Sequence, residues 1–319
     1  MNNKKVLIIK TGYSEVLDEE DNSRRVSFGD VLRTTVLLHL FKNDKVTWVT
    51  DKFAFPLLEN NPFIERLLPY DFTTALQLKS EEFDVVINLE KVPGICALAD
   101  NVRARRARFG FTLNTHTGRA EPYDKAYDVL TVSANVNLKK ENQRTFQELL
   151  FEMVGSKWNG EEYVLGYQPS VQKAYNLGLN DEVGSKWPVK RWSEGKWSEL
   201  ERKLSEKGFS LSRQTKQDRR ILIDLRAYMD WLNSCELIIS GDSLGLHLAI
   251  ALKKKVLGLF GPTSHKEIHF YGLGKPILPE EISSCMPCFE KDCQYGEPCL
   301  EKISPQKIAE EAEVLLRGD

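Results

Sequence analysis

Glu236-Leu-Ile-Ile-Ser-Gly-Asp-Ser-Leu-Gly-Leu-His-Leu-Ala-Ile-Ala-Leu-Lys-Lys-Lys-Val-Leu-Gly-Leu-Phe-Gly-Pro-Thr263 reads as strand, tight turn, helix, strand and loop. Leu237 to Ile239 is a short apolar run with β-branched residues, the signature of a buried strand. Ser240-Gly241-Asp242-Ser243 is turn chemistry. Leu244 to Leu252 is a short helix, apolar on most faces, and Lys253 to Lys255 place cations at its negative end. Val256 to Phe260 is a second buried strand, ended by Gly261-Pro262. A strand–helix–strand unit entered through a polar turn is half of a nucleotide-binding α/β domain. The helix start, with its N–H groups and positive dipole end, suits a phosphate. The plainer alternative is an ordinary unit in which Asp242 and Ser243 only cap the helix. His247 speaks against it, because a histidine among leucines in a helix's first turns needs a polar partner.

Working outward, the chain has 319 residues, a net charge of −2 and 41% hydrophobic residues. That is room for two domains of about 150 residues each. The near-neutral balance argues against a general nucleic-acid binder. No apolar run approaches the ~20 residues of a membrane span, and the N-terminus is too short in apolar residues for a signal peptide. A cytoplasmic location with reduced thiols is therefore expected for the six cysteines.

The N-terminal half alternates strands and helices. Strands are expected at Val6 to Lys10, Val46 to Thr50, Ile64 to Leu68, Phe83 to Leu89 and Arg103 to Phe111. Helices are expected from Ser27 to about Lys42, at Ala54 to Glu59, near Thr73 to Lys79, and at Gly94 to Ala99. Ser14 to Arg25 reads as a charged surface loop and Thr112 to Ala134 as polar and irregular. Glu141 to Val154 is an amphipathic helix with Phe146, Leu149, Leu150 and Met153 on one face. After a connection at Trp158 to Pro169, a second set begins with a strand at Lys173 to Leu179. A loop to Arg191 follows, then a helix from Trp192 to Lys207 with Ser193 as N-cap. A short strand at Phe209 to Leu211, a helix at Asp224 to Ser234, the 236–263 unit and a terminal helix at Pro305 to Arg317 complete it. This alternation predicts mostly parallel sheets.

Three features fall where strands enter loops, the ligand-binding edge of doubly wound sheets: Gly29-Asp30, Lys186-Trp187-Pro188, and Asp242 to His247. A carboxylate facing a lysine and a helix N-terminus suits group transfer. The carboxylate takes a proton from an acceptor hydroxyl, and the lysine and N–H groups hold a diphosphate leaving group, with no catalytic divalent metal required. In isolation, Asp30 also reads as a helix-start carboxylate and Lys186 as a solvated loop lysine. Cys285, Cys288, Cys293 and Cys299 lie within fifteen residues and open with Cys-x-x-Cys, resembling a closed thiolate metal site. Disulfides or free thiols are the alternatives. Cys96 and Cys235 read as core. Arg103, Arg105, Arg106 and Arg108 form either a solvated strand face or an attractor for an anionic acceptor.

Together these segments resemble glycosyltransferase family 9, the ADP-heptose heptosyltransferases. The resemblance rests on Lys10-Thr11, Gly29-Asp30-Val31-Leu32-Arg33-Thr34-Thr35, Lys186-Trp187-Pro188, Ser240 to Ala249, Leu259-Phe260-Gly261-Pro262-Thr263, and the cysteines, in that order. It implies a GT-B fold of two Rossmann-like domains with parallel sheets facing across a cleft. Residues 1–165 would bind the acceptor and 166–303 the nucleotide sugar, with a four-cysteine segment at 285–299. The helix at 304–319 would cross back to the first domain. The resemblance further implies inverting, metal-independent transfer of a heptose from an ADP-sugar donor to a hydroxyl acceptor: lipopolysaccharide core, protein or small molecule. A lipid-linked acceptor would add peripheral membrane contact. By position Asp30 is similar to the family's catalytic base and Lys186 to its phosphate-binding lysine. Asp242 would contact the sugar, Ser243, Leu244 and Gly245 the diphosphate, with His247 close by. Lys10, Arg33 and Arg106 are acceptor-side candidates. In some relatives the cysteine segment ligates iron, so a structural iron or zinc is expected at Cys285, Cys288, Cys293 and Cys299. Gly12 to Phe28 is an insertion beside the expected base, and Ser210 to Arg220 is polar where relatives often carry a glycine-rich loop. Two other readings keep the scaffold: a transferase using a different nucleotide sugar, and a non-catalytic sugar-nucleotide or metal-binding protein.

Overall fold

The computed structural model describes residues 3–13, 26–184, 188–217 and 223–318. The chain divides into two compact units, Met1–Lys139 with Arg144–Tyr167, and Lys140–Gln143 with Gln168–Asp319. Each is an α/β unit around its own sheet.

The first unit holds β1 (Lys5–Ile9), β2 (Lys45–Thr50), β3 (Arg66–Pro69), β4 (Glu82–Asn88), β5 (Arg103–Asn114) and β6 (Arg119–Pro122), in the order β3-β2-β1-β4-β5-β6. All neighbours are parallel except β6, which runs antiparallel to β5. Val6 to Ile9 of β1 have no exposed surface, as their unbroken apolar composition predicts for a strand covered on both faces. The strand order reverses between β1 and β4, so the carboxyl ends of these two strands flank the natural ligand crevice of this unit.

Three expectations need correction here. The helix after Ser27 does not run on uniformly to Lys42. It is α-helical over α1 (Phe28–Thr34) and tightens to a 3₁₀ helix over Thr35–Phe41. The hydroxyls of Thr34 and Thr35 bond back to the carbonyls of Val31 and Leu32 at 2.8 and 2.6 Å, and such back-bonding competes with regular helix. The stretch 112–134 is also more ordered than its polarity suggests. β5 continues to Asn114 and turns back into β6, at the sheet's edge where polar residues are tolerated. Among the helices that follow α2 (Phe55–Leu58), α3 (Phe72–Ser80) and α4 (Pro93–Asn101), α5 (Tyr127–Ala134) also lies in this stretch. The helix expected from Glu141 begins later: α6 (Val136–Glu141) ends there, and α7 (Phe146–Met153) starts anew. Thr145 and Glu148 close a capping box that fixes the new start.

The second unit holds β7 (Tyr175–Asn180), β8 (Leu211–Arg213), β9 (Cys235–Gly241), β10 (Lys255–Leu259) and β11 (Gly274–Ile277), all parallel in the order β11-β10-β9-β7-β8. Its reversal lies between β7 and β9. β11 was not expected, because Pro276 sits inside it; proline is tolerated on an edge strand, as here. The helices are α8 (Glu194–Glu206), α9 (Leu225–Asn233), α10 (Leu244–Ala251) and α11 (Pro305–Arg317). Ser193 caps α8, accepting from the Lys196 N–H. α10 is apolar all round and accordingly buried over Gly245 to Ile250.

Ile308, Ala309 and Ala312 of α11 complete the core of the second unit with Leu200, Leu204, Leu257 and Leu259. Lys207 pairs with Glu313, and Lys275 with Glu311. The helix therefore buries its apolar stripe in the second unit. Among the described residues no helix is long and apolar enough to cross a membrane.

Candidate functional site

In the first unit the chain leaves β1 through Lys10, Thr11 and Gly12, all at the carboxyl edge of the sheet. Gly12 takes φ +87°, and a Cβ there would lie 2.8 Å from Val26 Cγ1, so glycine is required. Its N–H donates to Glu90 Oε1 at 2.7 Å, and its carbonyl accepts the Ser27 N–H at 3.0 Å. The two ends of the insertion are thus joined, while residues 14–25 lie outside those described. Asp30 stands in the first turn of α1, where a carboxylate is favoured. The Lys10 ammonium lies 3.9 Å from Asp30 and 3.3 Å from Glu90.

Glu90 is a site residue that the sequence did not flag. Buried Asn88 places it: its side-chain amide donates to the carbonyls of Phe111 (2.7 Å) and Glu90 (3.1 Å), and its Oδ1 accepts the Glu90 N–H at 3.1 Å. This turn folds Glu90 back beneath Gly12. Arg33, the next acceptor-side candidate, is on α1 three residues beyond Asp30, with its guanidinium 4.0 Å over the Phe146 ring. Arg106 does not join them. It pairs with Asp84 at 3.4 Å, and Asp84 also accepts the N–H of Lys5, the first residue of β1. Arg106 therefore lies at the amino edge of the sheet, the wrong end for the crevice. Arg105 pairs with Glu82, and Arg108 bonds the carbonyls of Ala99 and Val102.

In the second unit three loops converge on Asp242. Its Oδ2 accepts from Lys190 Nζ at 2.8 Å, in the loop after β7, and from Thr263 Oγ1 at 2.7 Å, in the loop after β10. Lys190 also donates to the Asp242 carbonyl at 3.3 Å. Burial pushes the Asp242 carboxyl up, but the charges of Lys190 and His247 and the two hydrogen bonds outweigh it and hold the group well below the usual carboxylate range. A carboxyl so depressed stabilises the fold at all pH above the ordinary aspartate value, and loses that contribution only in strong acid. Asp242 is thus ionised wherever an enzyme would work. His247 is buried on α10 and close enough for its charge to act on Asp242, which supplies the polar partner its sequence position demanded.

Ser243 occupies the N-cap position of α10, yet its side chain caps nothing. Ser243 Oγ is instead 3.2 Å from both Asn180 Nδ2 and Ser240 Oγ. The capping alternative for Asp242 and Ser243 is therefore not what the fold uses. Asn180 ends β7 directly at the strand reversal; it donates to Ser240 Oγ at 2.8 Å and accepts from the Tyr228 hydroxyl. Gly245 packs against this pair: a Cβ would come within 2.5 Å of Asn180 Nδ2, so glycine allows the helix start to approach. Leu244 opens the same turn.

Lys186 falls within 185–187, outside the described residues. Lys190, four positions on, is the lysine at Asp242. Its loop is clamped at both ends by Arg213 of β8, which is buried and bonds Asp181 at the loop's start and Glu194 at the start of α8. Arg213→Met would leave Asp181 buried without its cation. We expect a stability loss of about 3–5 kcal/mol, read as a lowered denaturant midpoint; an unchanged midpoint would show that the clamp is dispensable.

The four clustered cysteines are in no disulfide. Burial pushes the Cys299 thiol up to about 11, and the nearby Cys288, Cys285 and Cys293 push it the same way, so the four thiols are neighbours. Their donor chemistry suits iron or zinc. Among the described residues, however, no three His, Cys, Asp or Glu side chains are set to hold one ion.

Comparison with known proteins finds the following similarities. Residues 73–298 match the model of glycosyltransferase family 9 (heptosyltransferase). Lipopolysaccharide heptosyltransferase 1 of Pseudomonas aeruginosa is 27% identical over 168 residues, covering 42% of this chain and 46% of that protein. The chain spans less than half the length of the curated relatives it matches. A glycosyl transferase family 9 structure from Veillonella parvula superposes with a TM-score of 0.69 at 16% identity, covering 100% of this chain and 99% of that one. The E. coli heptosyltransferase WaaC with ADP gives 0.63 at 15% identity, covering 98% and 99%.

Proposed function

Because the chain belongs to glycosyltransferase family 9, a family of GT-B enzymes that transfer glycosyl groups, we propose that it moves a heptose from ADP-heptose to a hydroxyl of a lipopolysaccharide core, with inversion at the anomeric carbon. The observation that carries the reading is the Asp242 cradle: an ionised carboxylate fixed by Lys190 and Thr263 beside the uncapped start of α10. The solved relative that holds ADP and the curated relative that acts on lipopolysaccharide support the choice of donor and acceptor.

In this reading the first unit supplies the base and the second holds the donor. Asp30 takes the proton of the acceptor hydroxyl as its oxygen bonds the anomeric carbon. The bond from that carbon to the diphosphate oxygen breaks, and its electron pair leaves with ADP. The charge gained by the leaving group is met by the Lys190 ammonium, where a phosphate oxygen exchanges for one of its present partners, and by the N-terminal end of α10. Asp242, held ionised, accepts hydrogen bonds from sugar hydroxyls. No step passes through a metal.

Turnover measured across ADP-heptose and other nucleotide sugars, with a heptose-deficient lipopolysaccharide core as acceptor, tests this directly. ADP-heptose is expected to exceed the others at least tenfold, since a site that hydrogen-bonds substrate hydroxyls rejects analogues lacking them. Preference for a uridine-linked sugar would overturn the donor, and donor binding without turnover of any kind would favour a non-catalytic binder.

The cysteine segment is a separate part of the proposal: Cys285, Cys288, Cys293 and Cys299, not set around one point in this structure, would close on one structural iron or zinc ion when it binds. Elemental analysis of protein purified without oxygen is expected to give about one equivalent of metal. Metal well below stoichiometry would remove the centre and leave the transfer reading untouched.

A further inference from the structure

Tyr228 of α9 reaches the turn into α10 through a chain of polar side chains whose donors and acceptors run one way. Tyr228 and Trp231 stack with ring centroids 6.0 Å apart, and the Trp231 indole N–H donates to buried Ser212 Oγ at 2.8 Å. That fixes the Tyr228 ring with its hydroxyl against the start of α10, where a Cβ on Gly245 would strike it. The hydroxyl sits on Asn180 Oδ1, and Asn180 Nδ2 faces Ser240 Oγ at 2.8 Å and Ser243 Oγ at 3.2 Å. Ser240 has one hydroxyl hydrogen, and it goes to the Gly241 carbonyl at 2.8 Å. Towards Asn180, Ser240 therefore only accepts, so the amide presents its NH2 group to the serines and its oxygen to Tyr228. Tyr228 then donates, and burial pushes its hydroxyl far above the usual tyrosine range, so it keeps that hydrogen.

The direction passes on to Ser243. Its oxygen accepts from Asn180, and its own hydrogen is left to donate; Ser240 Oγ, 3.2 Å away, can only accept it. If that hydrogen swings to a ligand, Ser240 still has the Asn180 bond, so the exchange leaves no buried acceptor unpaired. We infer that Tyr228 is a positioning residue for the donor site: through Asn180 it holds the Ser243 hydroxyl as a hydrogen-bond donor to a phosphate oxygen of the nucleotide. Without the Tyr228 hydroxyl, Asn180 Oδ1 has no other donor among the described residues. Turning the amide over would then offer Oδ1 to Ser243, whose hydrogen would point inward. The inference rests on reading Ser243 as a contact of the diphosphate.

ADP binding, measured by calorimetry over a double-substitution cycle, tests this. Ser243→Ala should weaken ADP about tenfold, the worth of one hydrogen bond to a charged group, and Tyr228→Phe should do nearly the same. With Ser243→Ala already present, Tyr228→Phe should cost less than about twofold more, because the hydroxyl it directs is gone. A merely structural disturbance by Tyr228→Phe would weaken ADP by the same factor with or without that hydroxyl. Asn180→Asp decides the matter if Tyr228→Phe fails to fold. A carboxylate has no N–H to give and draws the Ser243 hydrogen inward, so Ser243→Ala should add less than about twofold to its loss. Additive losses, or ADP affinity in Tyr228→Phe within about twofold of wild type, overturn the inference. Ser243→Ala alone keeps the readings apart: if it leaves ADP affinity unchanged, the placing of the diphosphate itself fails.

Discussion

Asp30→Asn is expected to lower the transfer rate by two to four orders of magnitude, the usual worth of a positioned general base, while ADP binds as before. Asparagine matches aspartate in size and keeps a hydrogen-bonding oxygen, so α1 and the Lys10 contact zone should hold their shape. What is lost is the capacity to take the acceptor's proton. ADP affinity is insulated because the residues assigned to the donor, Lys190, Asp242, Ser243 and Thr263, all belong to the second unit. The measurement is single-turnover transfer alongside calorimetric ADP binding. Turnover near the wild-type rate would remove Asp30 from the mechanism. An equal loss of ADP affinity would mean that Asp30 serves binding and not chemistry.

Lys190→Met should lower kcat/KM by about 10²–10³, the magnitude found when one preorganised donor to a developing negative charge is removed. The effect has two sources. The leaving diphosphate loses a cation, and Asp242 loses its nearest counter-charge while remaining partly buried, with 16% of its side chain exposed. The second source makes a double-substitution cycle informative. With Asp242→Asn already present, Lys190→Met should cost markedly less than it does alone, since residues acting as a unit are not additive. Strict additivity would show that the ion pair is incidental to the donor site.

The fold was open to reading because its central strands carry their burial in their composition. Val6-Leu7-Ile8-Ile9 and Leu237-Ile238-Ile239 are apolar without interruption, and both prove fully buried. Edge elements were harder to read: β6 and β11 contain prolines and polar residues, which only a sheet edge tolerates. The terminal helix was legible from its Ser304 cap, its Pro305 start and its apolar stripe.

The site divides along the same line. Asp30, Asp242 and His247 were legible because turn and helix signals placed them at strand ends. Lys186 and Lys190 both lie in a five-residue span, Lys-Trp-Pro-Val-Lys, and local spacing does not separate them. Lys190 joins Asp242 in the structure, and Lys186 lies outside the described residues. Glu90 gave no local sign at all, since a glutamate after a strand reads as the start of a loop. Its burial follows from β1 and β4 being neighbours, a matter of strand order that periodicity does not encode. The arginines of β5 misled for the reverse reason. Their alternation is real, but it marks the sheet's amino edge, where Asp84 and Glu82 occupy them.

The hydrogen bond from Ser27 to Gly12 has an evolutionary consequence. A segment whose two ends are tied together at its root can be lengthened, trimmed or exchanged without altering the spacing of Lys10 and Asp30. Because loop-closure entropy rises only with the logarithm of length, such changes cost little stability, about 0.6 kcal/mol for each doubling. Changes of length between Gly12 and Ser27 therefore cost little stability beside Lys10 and Asp30.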